Sequence, residues 1–209
     1  MKMKEDSKEI LVVILASIVL AITVSFKNNS IFYSALASFL VIIGINILTK
    51  KIVGYNLETT VKTKFWSWYQ FGLRKDMHFK KPLPMIWLPL VLALFTKGFF
   101  LWLGILEFDI KAKTERVSKR HGLYRFTEVT DWHMAWIATW GLIINLILAI
   151  TGYIIGFELF TKLSIYFIAW STIPIAGLDG SKILYGCKPM WIIDFTIAML
   201  LLFLGITII

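Results

Sequence analysis

Ser-Thr-Ile-Pro-Ile-Ala-Gly-Leu-Asp-Gly-Ser-Lys-Ile-Leu-Tyr, residues 171–185, interrupts an apolar run that begins near Phe160. Within it Pro174 removes a helix hydrogen bond and collides with the preceding turn, and Gly177 and Gly180 loosen the residues after it. The run therefore reads as a membrane helix broken partway along its length. Asp179 sits at the break. A carboxylate there is costly in lipid, so it must face protein, a cavity or a bound group.

The rest of the chain agrees with a membrane setting. Of 209 residues, 58% are hydrophobic and only 17% charged, and the mean hydropathy is +0.75. A soluble domain of this length carries more charge and lacks repeated apolar runs near twenty residues. The net charge of +9 is concentrated between the apolar runs, where lysines and arginines set orientation and meet anionic headgroups. No nucleic-acid motif accompanies it, so nucleic acid is not an expected partner. The single cysteine, Cys187, excludes an internal disulfide framework and a cysteine-based zinc cluster.

Taken in order, residues 1–48 form a helical hairpin, with spans at 10–26 and 31–48 separated by Lys27, Asn28, Asn29 and Ser30. Small residues do not follow the first run, so it reads as an uncleaved helix rather than a signal peptide. The hairpin's polar content, hydroxyls plus Asn46, points to a scaffold. Residues 49–84 are basic. Their aromatics, Phe65, Trp66, Trp68, Tyr69 and Phe71, lead to Arg74, Lys75, Lys80 and Lys81, a pattern suited to the headgroup zone.

Residues 85–108 are long enough to span, but carry Lys97 at their midpoint. A full crossing puts two strongly basic loops on opposite sides of the membrane, whereas a segment that dips and returns keeps both cytoplasmic. Leu106–Lys113 alternates at period two and predicts a strand, with Tyr124–Thr127 as its antiparallel partner across the basic turn Arg116–Gly122. Asp131 stands in N-cap position for the next helix, which runs to about Phe157. There Gly141 permits close helix approach, and Asn145 seeks a partner across it. The final span covers 189–209, with Asp194 near enough to its start to reach the interface. The expected fold is an all-α polytopic membrane protein, one domain of five or six transmembrane segments with a small surface β-hairpin.

Recognised catalytic motifs are missing. His78, His121 and His133 all lie in or beside polar segments and form no i, i+4 pair, so a zinc site from them needs distant loops to converge. Ser181 and Lys182 are adjacent, and adjacent helical residues point about 100° apart, which argues against a dyad.

Pro174-Ile175-Ala176-Gly177-Leu178-Asp179-Gly180 resembles the Asn-x-x-Pro-x-x-x-Leu-Asp-Gly motif of site-2 proteases, intramembrane zinc metalloproteases. Gly141-Leu142-Ile143-Ile144-Asn145 is similar to that family's Gly-Pro-x-x-Asn, and the order of elements over residues 85–185 also fits. The resemblance implies a site-2-protease-like core, residues 85–188, with Asp179 at a zinc-ligand position. It also implies His-Glu-x-x-His upstream, two ligands one turn apart and a glutamate that activates water. The segment at the matching place, Phe95-Thr96-Lys97-Gly98-Phe99, has neither histidine and Thr96 for the glutamate, and Ser171 replaces the motif's Asn.

The expectation is then a zinc-free, catalytically inactive homologue with a binding or regulatory role, without a cofactor. Lys97 is expected to pair with Asp179. Thr96, Lys97, Gly141, Asn145, Pro174, Gly177, Asp179 and Gly180 would line or shape a cleft between segments 85–108, 131–157 and 160–185. Such a cleft suits a transmembrane helix of another protein, beside the lipid bilayer itself. The chain would sit in the cell membrane as a multi-pass protein, its basic loops cytoplasmic. Alternatives are an active metalloprotease that recruits His121 or His133 to zinc at Asp179, and a small transporter or structural subunit using Asp179.

Overall fold

The computed structural model describes residues 2–70, 78–113 and 129–207. Helices α1 (Lys2–Ser25) and α2 (Phe32–Asn56) form the expected antiparallel hairpin. The Asn28 side chain accepts from Ser30 N at 3.1 Å and closes its turn. Hydroxyls on both helices fold back onto their own carbonyls, as Thr23 does to Val19 and Ser38 to Ser34. Such bonds leave no free polar group in an apolar face. Near the start of α1, Glu9 joins the Lys51 ammonium on α2 and accepts the Thr63 backbone N–H at 3.0 Å. Glu9, the end of α2 and the following strand thus share one side of the bundle.

That strand is β1 (Thr59–Phe65), which pairs antiparallel with β4 (Leu106–Ala112). The register sets Thr63 opposite Phe108 and Phe65 opposite Leu106. Alternation turns Val61, Thr63 and Phe108 inward and leaves Lys64, Asp109 and Lys111 exposed. Period-two reading of residues 106–113 therefore identifies a real strand. Its partner, however, is β1, from the stretch that composition alone presents as an interfacial segment; Tyr124–Thr127 and the turn 116–122 lie outside the described residues. A second small sheet pairs β2 (Ser67–Gln70) with β3 (His78–Pro84). Arg74 and Lys75 lie outside the described residues.

Because Phe65 and Leu106 are cross-strand neighbours, the chain between them leaves and returns to one place. Its helix, α3 (Leu88–Phe95), has eight residues, about 12 Å of rise against a hydrocarbon core of about 30 Å. Lys97 and Gly98 adopt left-handed φ of 54° and 74° and end it. This tip meets the far end of α1, where Lys27 lies over the Phe99 ring at 5.7 Å. Residues 99–105 then run back without helix, burying Leu103 and Ile105 among Leu20, Phe39 and Ile42. Of the two courses open to segment 85–108, it takes the one that dips and returns. Ring contacts fasten it: Trp66 and Trp102 stack with centroids 5.9 Å apart, and Trp102 meets Trp170 at a tilt, 4.4 Å apart.

After the sheet come α4 (Asp131–Ile155), α5 (Glu158–Thr172), α6 (Asp179–Gly186) and α7 (Lys188–Thr207). Asp131 does open α4, but as its first helical residue; Thr130 holds the cap position and its hydroxyl engages His133 Nδ1 at 2.5 Å. Asp131 contributes charge to the first turn rather than a cap bond. Gly156, at φ 86°, ends the helix. Among the described residues, four helical stretches are long and apolar enough to cross a membrane: 8–25, 29–56, 131–155 and 188–205. This is a mostly helical membrane protein, with two small sheets among the described residues. The remaining apolar segments, α3 and the α5–α6 pair, are each too short or too broken to match those four.

Candidate functional site

The break between α5 and α6 is tightly organised. Pro174 lacks an N–H, α5 stops at Thr172, and residues 173–178 turn through bonds from Ile175 N to Ile173 O (2.8 Å) and Leu178 N to Ile175 O (3.0 Å). Trp191 on α7 donates its indole N–H to Thr172 O at 3.0 Å, satisfying a carbonyl near the end of α5. Gly177 has φ 93° and no room for a side chain, since a Cβ there would stand 2.7 Å from the Trp66 ring. Trp66 in turn donates to Ala176 O at 2.8 Å. Gly180 lies directly on the carbonyls of Thr172 and Ile173, so α6 folds back against the end of α5.

This geometry places Asp179 in the first turn of α6, 7% exposed, where helix N–H groups favour a negative charge. Its partner is Lys50 of α2, whose Nζ lies 2.5 Å from Asp179 Oδ2 and which is 6% exposed. One turn earlier Asn46 donates Nδ2–H to Gly141 O at 2.8 Å. Gly141 makes the approach possible, because a Cβ would stand 2.5 Å from Lys50 Cε. The Phe108 ring closes the site between two ammoniums, Lys50 at 4.8 Å and Lys182 at 3.9 Å, and Lys182 also donates to Phe108 O. Ser181 bonds instead to Leu178 O, so the two adjacent side chains do diverge.

Asn46, Lys50, Thr63, Glu107, Ser171 and Asp179 line a cavity of about 20 Å³, the size of one water. The Thr63 hydroxyl is buried there without a partner among the described residues. On the sheet, burial pushes the Glu107 carboxyl above its usual range despite the nearby Lys182 and Lys64. A hydrogen bond to Asp109, at 2.8 Å, helps hold the Lys64 ammonium above its own.

Lys97 is not at this site. It is exposed at the tip of the re-entrant segment, while Thr96 bonds Leu92 O at 2.7 Å and accepts from Phe100 N. The expected Lys97–Asp179 pair is thus replaced by Lys50–Asp179, and the wall of the site facing Asp179 comes from α2. Gly141, Gly177 and Gly180 shape the site, with Pro174 at the break. Asn145 is fully buried on α4, its amide without a partner among the described residues, and does not line the cavity. Among the described residues no three His, Cys, Asp or Glu side chains converge as a metal site. His133 is engaged with Thr130; His121 and the side chain of His78 lie outside the described residues.

Asn46 and Lys50 carry a signal in the sequence: two polar residues at i, i+4 share one helix face. Ending the span at Leu48 assigns Lys50 to the loop and hides it. What the fold and site define is a membrane protein built around a buried lysine–aspartate pair. No family model, no curated protein and no solved structure matches the chain.

Proposed function

We propose that the chain is a zinc-free, catalytically inactive relative of the site-2 proteases with a binding or regulatory role. The observation that carries this reading is the Lys50–Asp179 pair. In the family that the Leu178-Asp179-Gly180 motif resembles, two histidines one turn apart face the aspartate. Here the side chains turned toward the break, one turn apart on α2, are Asn46, bonded to Gly141 O, and Lys50, paired with Asp179. An ammonium 2.5 Å from the carboxylate occupies the position of a cation, and neither an ammonium nor an amide bonded to Gly141 O fits a zinc ligand set. Ile47 between them offers no base to activate water.

The orientation belongs to the same proposal. Among the described residues, the lysines at the far end of the bundle are Lys27, Lys97 and Lys162, while the sheet end carries those of β1, β4 and the neighbouring helix ends. By the positive-inside bias the sheet end is cytoplasmic in a multi-pass cell-membrane protein.

Metal analysis of the purified protein, with a peptide-cleavage assay beside it, tests the reading. Substoichiometric zinc and no chelator-sensitive cleavage are expected. Stoichiometric zinc with cleavage blocked by chelator would overturn it.

A further inference from the structure

Helix α7 packs mainly on α5 and α6 and only lightly on α4. Its inward face is marked by fully buried Ala198 and by the Trp191–Thr172 bond. Beside that face Ile193, Ile197, Leu200 and Leu204 are exposed by 59, 39, 60 and 45%. Their 4-3-4 spacing is an unbroken heptad seam, the pattern by which one helix receives another at a shallow crossing angle. The far half of the seam continues into an apolar groove of about 230 Å³ between α4 and α7, lined by Ile150, Tyr153, Leu201 and Leu204.

Apolar side chains in a bilayer need no protein partner; a carboxylate does. Asp194 is adjacent to Ile193 and so flanks the seam at the position where coiled coils place the charges that choose a partner. Its Oδ2 accepts from Thr139 Oγ1 of α4 at 2.8 Å, and no described cation stands within ion-pair distance. One hydroxyl leaves most of the carboxylate's acceptor capacity unused. Among the described residues, the exposed Lys27 and Lys97 lie at the opposite end of the bundle, and Lys188 precedes Asp194 on α7 by six residues, about 9 Å of helix rise, so a parallel second copy in register sets no described cation level with Asp194.

We infer that the α4–α7 groove docks one transmembrane helix of a partner protein, which presents a lysine or arginine to Asp194. The apolar seam supplies the packing, and the charge pair selects the partner and fixes its depth. This site shares no residue with the Lys50–Asp179 site and stands or falls apart from the reading of that site.

The test uses the full chain in zwitterionic nanodiscs with labelled single-span oligoleucine peptides, followed by energy transfer. One peptide carries a single Lys at the depth of Asp194; its sibling has Leu there. The wild type is expected to bind the Lys peptide about tenfold more tightly, the scale of one interhelical polar contact in a bilayer. Asp194→Asn, which keeps an acceptor for Thr139, should erase the difference. Ile197→Trp on the seam should weaken Lys-peptide binding, and Ile192→Trp, off the seam, should leave it unchanged. Equal binding of both peptides by the wild type refutes the inference, as does a preference that survives Asp194→Asn. Wild-type copies pairing with each other to exclude the peptide would assign the seam to a homodimer instead. Should Asp194→Asn fail to fold, the two tryptophan variants decide: equal effects from both refute the docking face.

Discussion

Replacing Lys50 by Met removes the ammonium and keeps the volume of its stem. Both members of the Lys50–Asp179 pair are under a tenth exposed, so the carboxylate left behind cannot recover its lost interaction from bulk water. Removing one partner of a buried pair costs about 3–5 kcal/mol. Two features hold this case near the lower bound. Asp179 keeps the N-terminal field of α6, of about 0.3–1 kcal/mol, and Lys182 remains close enough to act on it. The lost contact of Lys50 with the Phe108 ring, about 0.5–2 kcal/mol, works the other way. The expected loss is about 3 kcal/mol. Converting both residues, Lys50→Met with Asp179→Leu, leaves no orphaned charge and should return stability to within about 1 kcal/mol of the wild type. Reversible SDS unfolding in mixed micelles, followed by tryptophan fluorescence, measures all four members of the cycle. A single-variant loss below about 1 kcal/mol, or a double variant as unstable as the two singles summed, would show the pair to be uncoupled. Lys97→Met serves as the control; it should change stability by less than about 0.5 kcal/mol, because Lys97 has no part in the site.

The packing and the sheet carry three further expected outcomes. Gly180→Ala drives a methyl to 2.5 Å from Ile173 O and nearer still to Thr172 O; overpacking against backbone should cost at least about 2–3 kcal/mol and show as a loss of monodisperse protein on size exclusion. Glu9→Gln leaves an acceptor for Thr63 N–H but cancels the pair with Lys51, whose ammonium is partly exposed, so its melting temperature should fall only slightly, on the scale of about 1 kcal/mol or less. For Glu107 the folded pKa is raised, so the folded state holds its proton more tightly than the unfolded chain. Its contribution is greatest at low pH and declines as pH rises from the ordinary carboxylate range through the raised value. Melting curves at about pH 5 and about pH 7.5 should show Glu107→Gln gaining on the wild type at the higher pH; a constant gap between the two proteins contradicts the assignment.

Local features are legible in the sequence, and relationships between distant residues are not. Pro174, Gly177 and Asp179 mark their break because each acts through its own backbone or charge, and α5 and α6 end and begin beside them. Period two in Leu106–Lys113 is likewise local, and β4 forms there. Which strand pairs with it is not local: β1 and β4 are separated by the whole re-entrant segment, and nothing within either strand names the other. Lys50 is obscured for the same reason. A lysine just past an apolar run looks like a headgroup anchor until its helix is seen to continue to Asn56 and its face to turn inward with Asn46. Lys97 misleads in the opposite sense. Its central place between apolar residues suggests a buried charge, but the left-handed turn at 97–98 puts it at an exposed tip.

Lys50 and Asp179 are separated by 129 positions in the chain. At ribosomal speeds of about 5–20 residues per second, Lys50 emerges on the order of ten seconds before the carboxylate that neutralises it. During that interval α2 holds an uncompensated ammonium less than two turns from its sheet-side end, within reach of the headgroups by extension of the lysine stem. The pair therefore closes late in biogenesis, after α5 and α6 have been made, and its closure draws Lys50 away from the membrane surface into the finished protein.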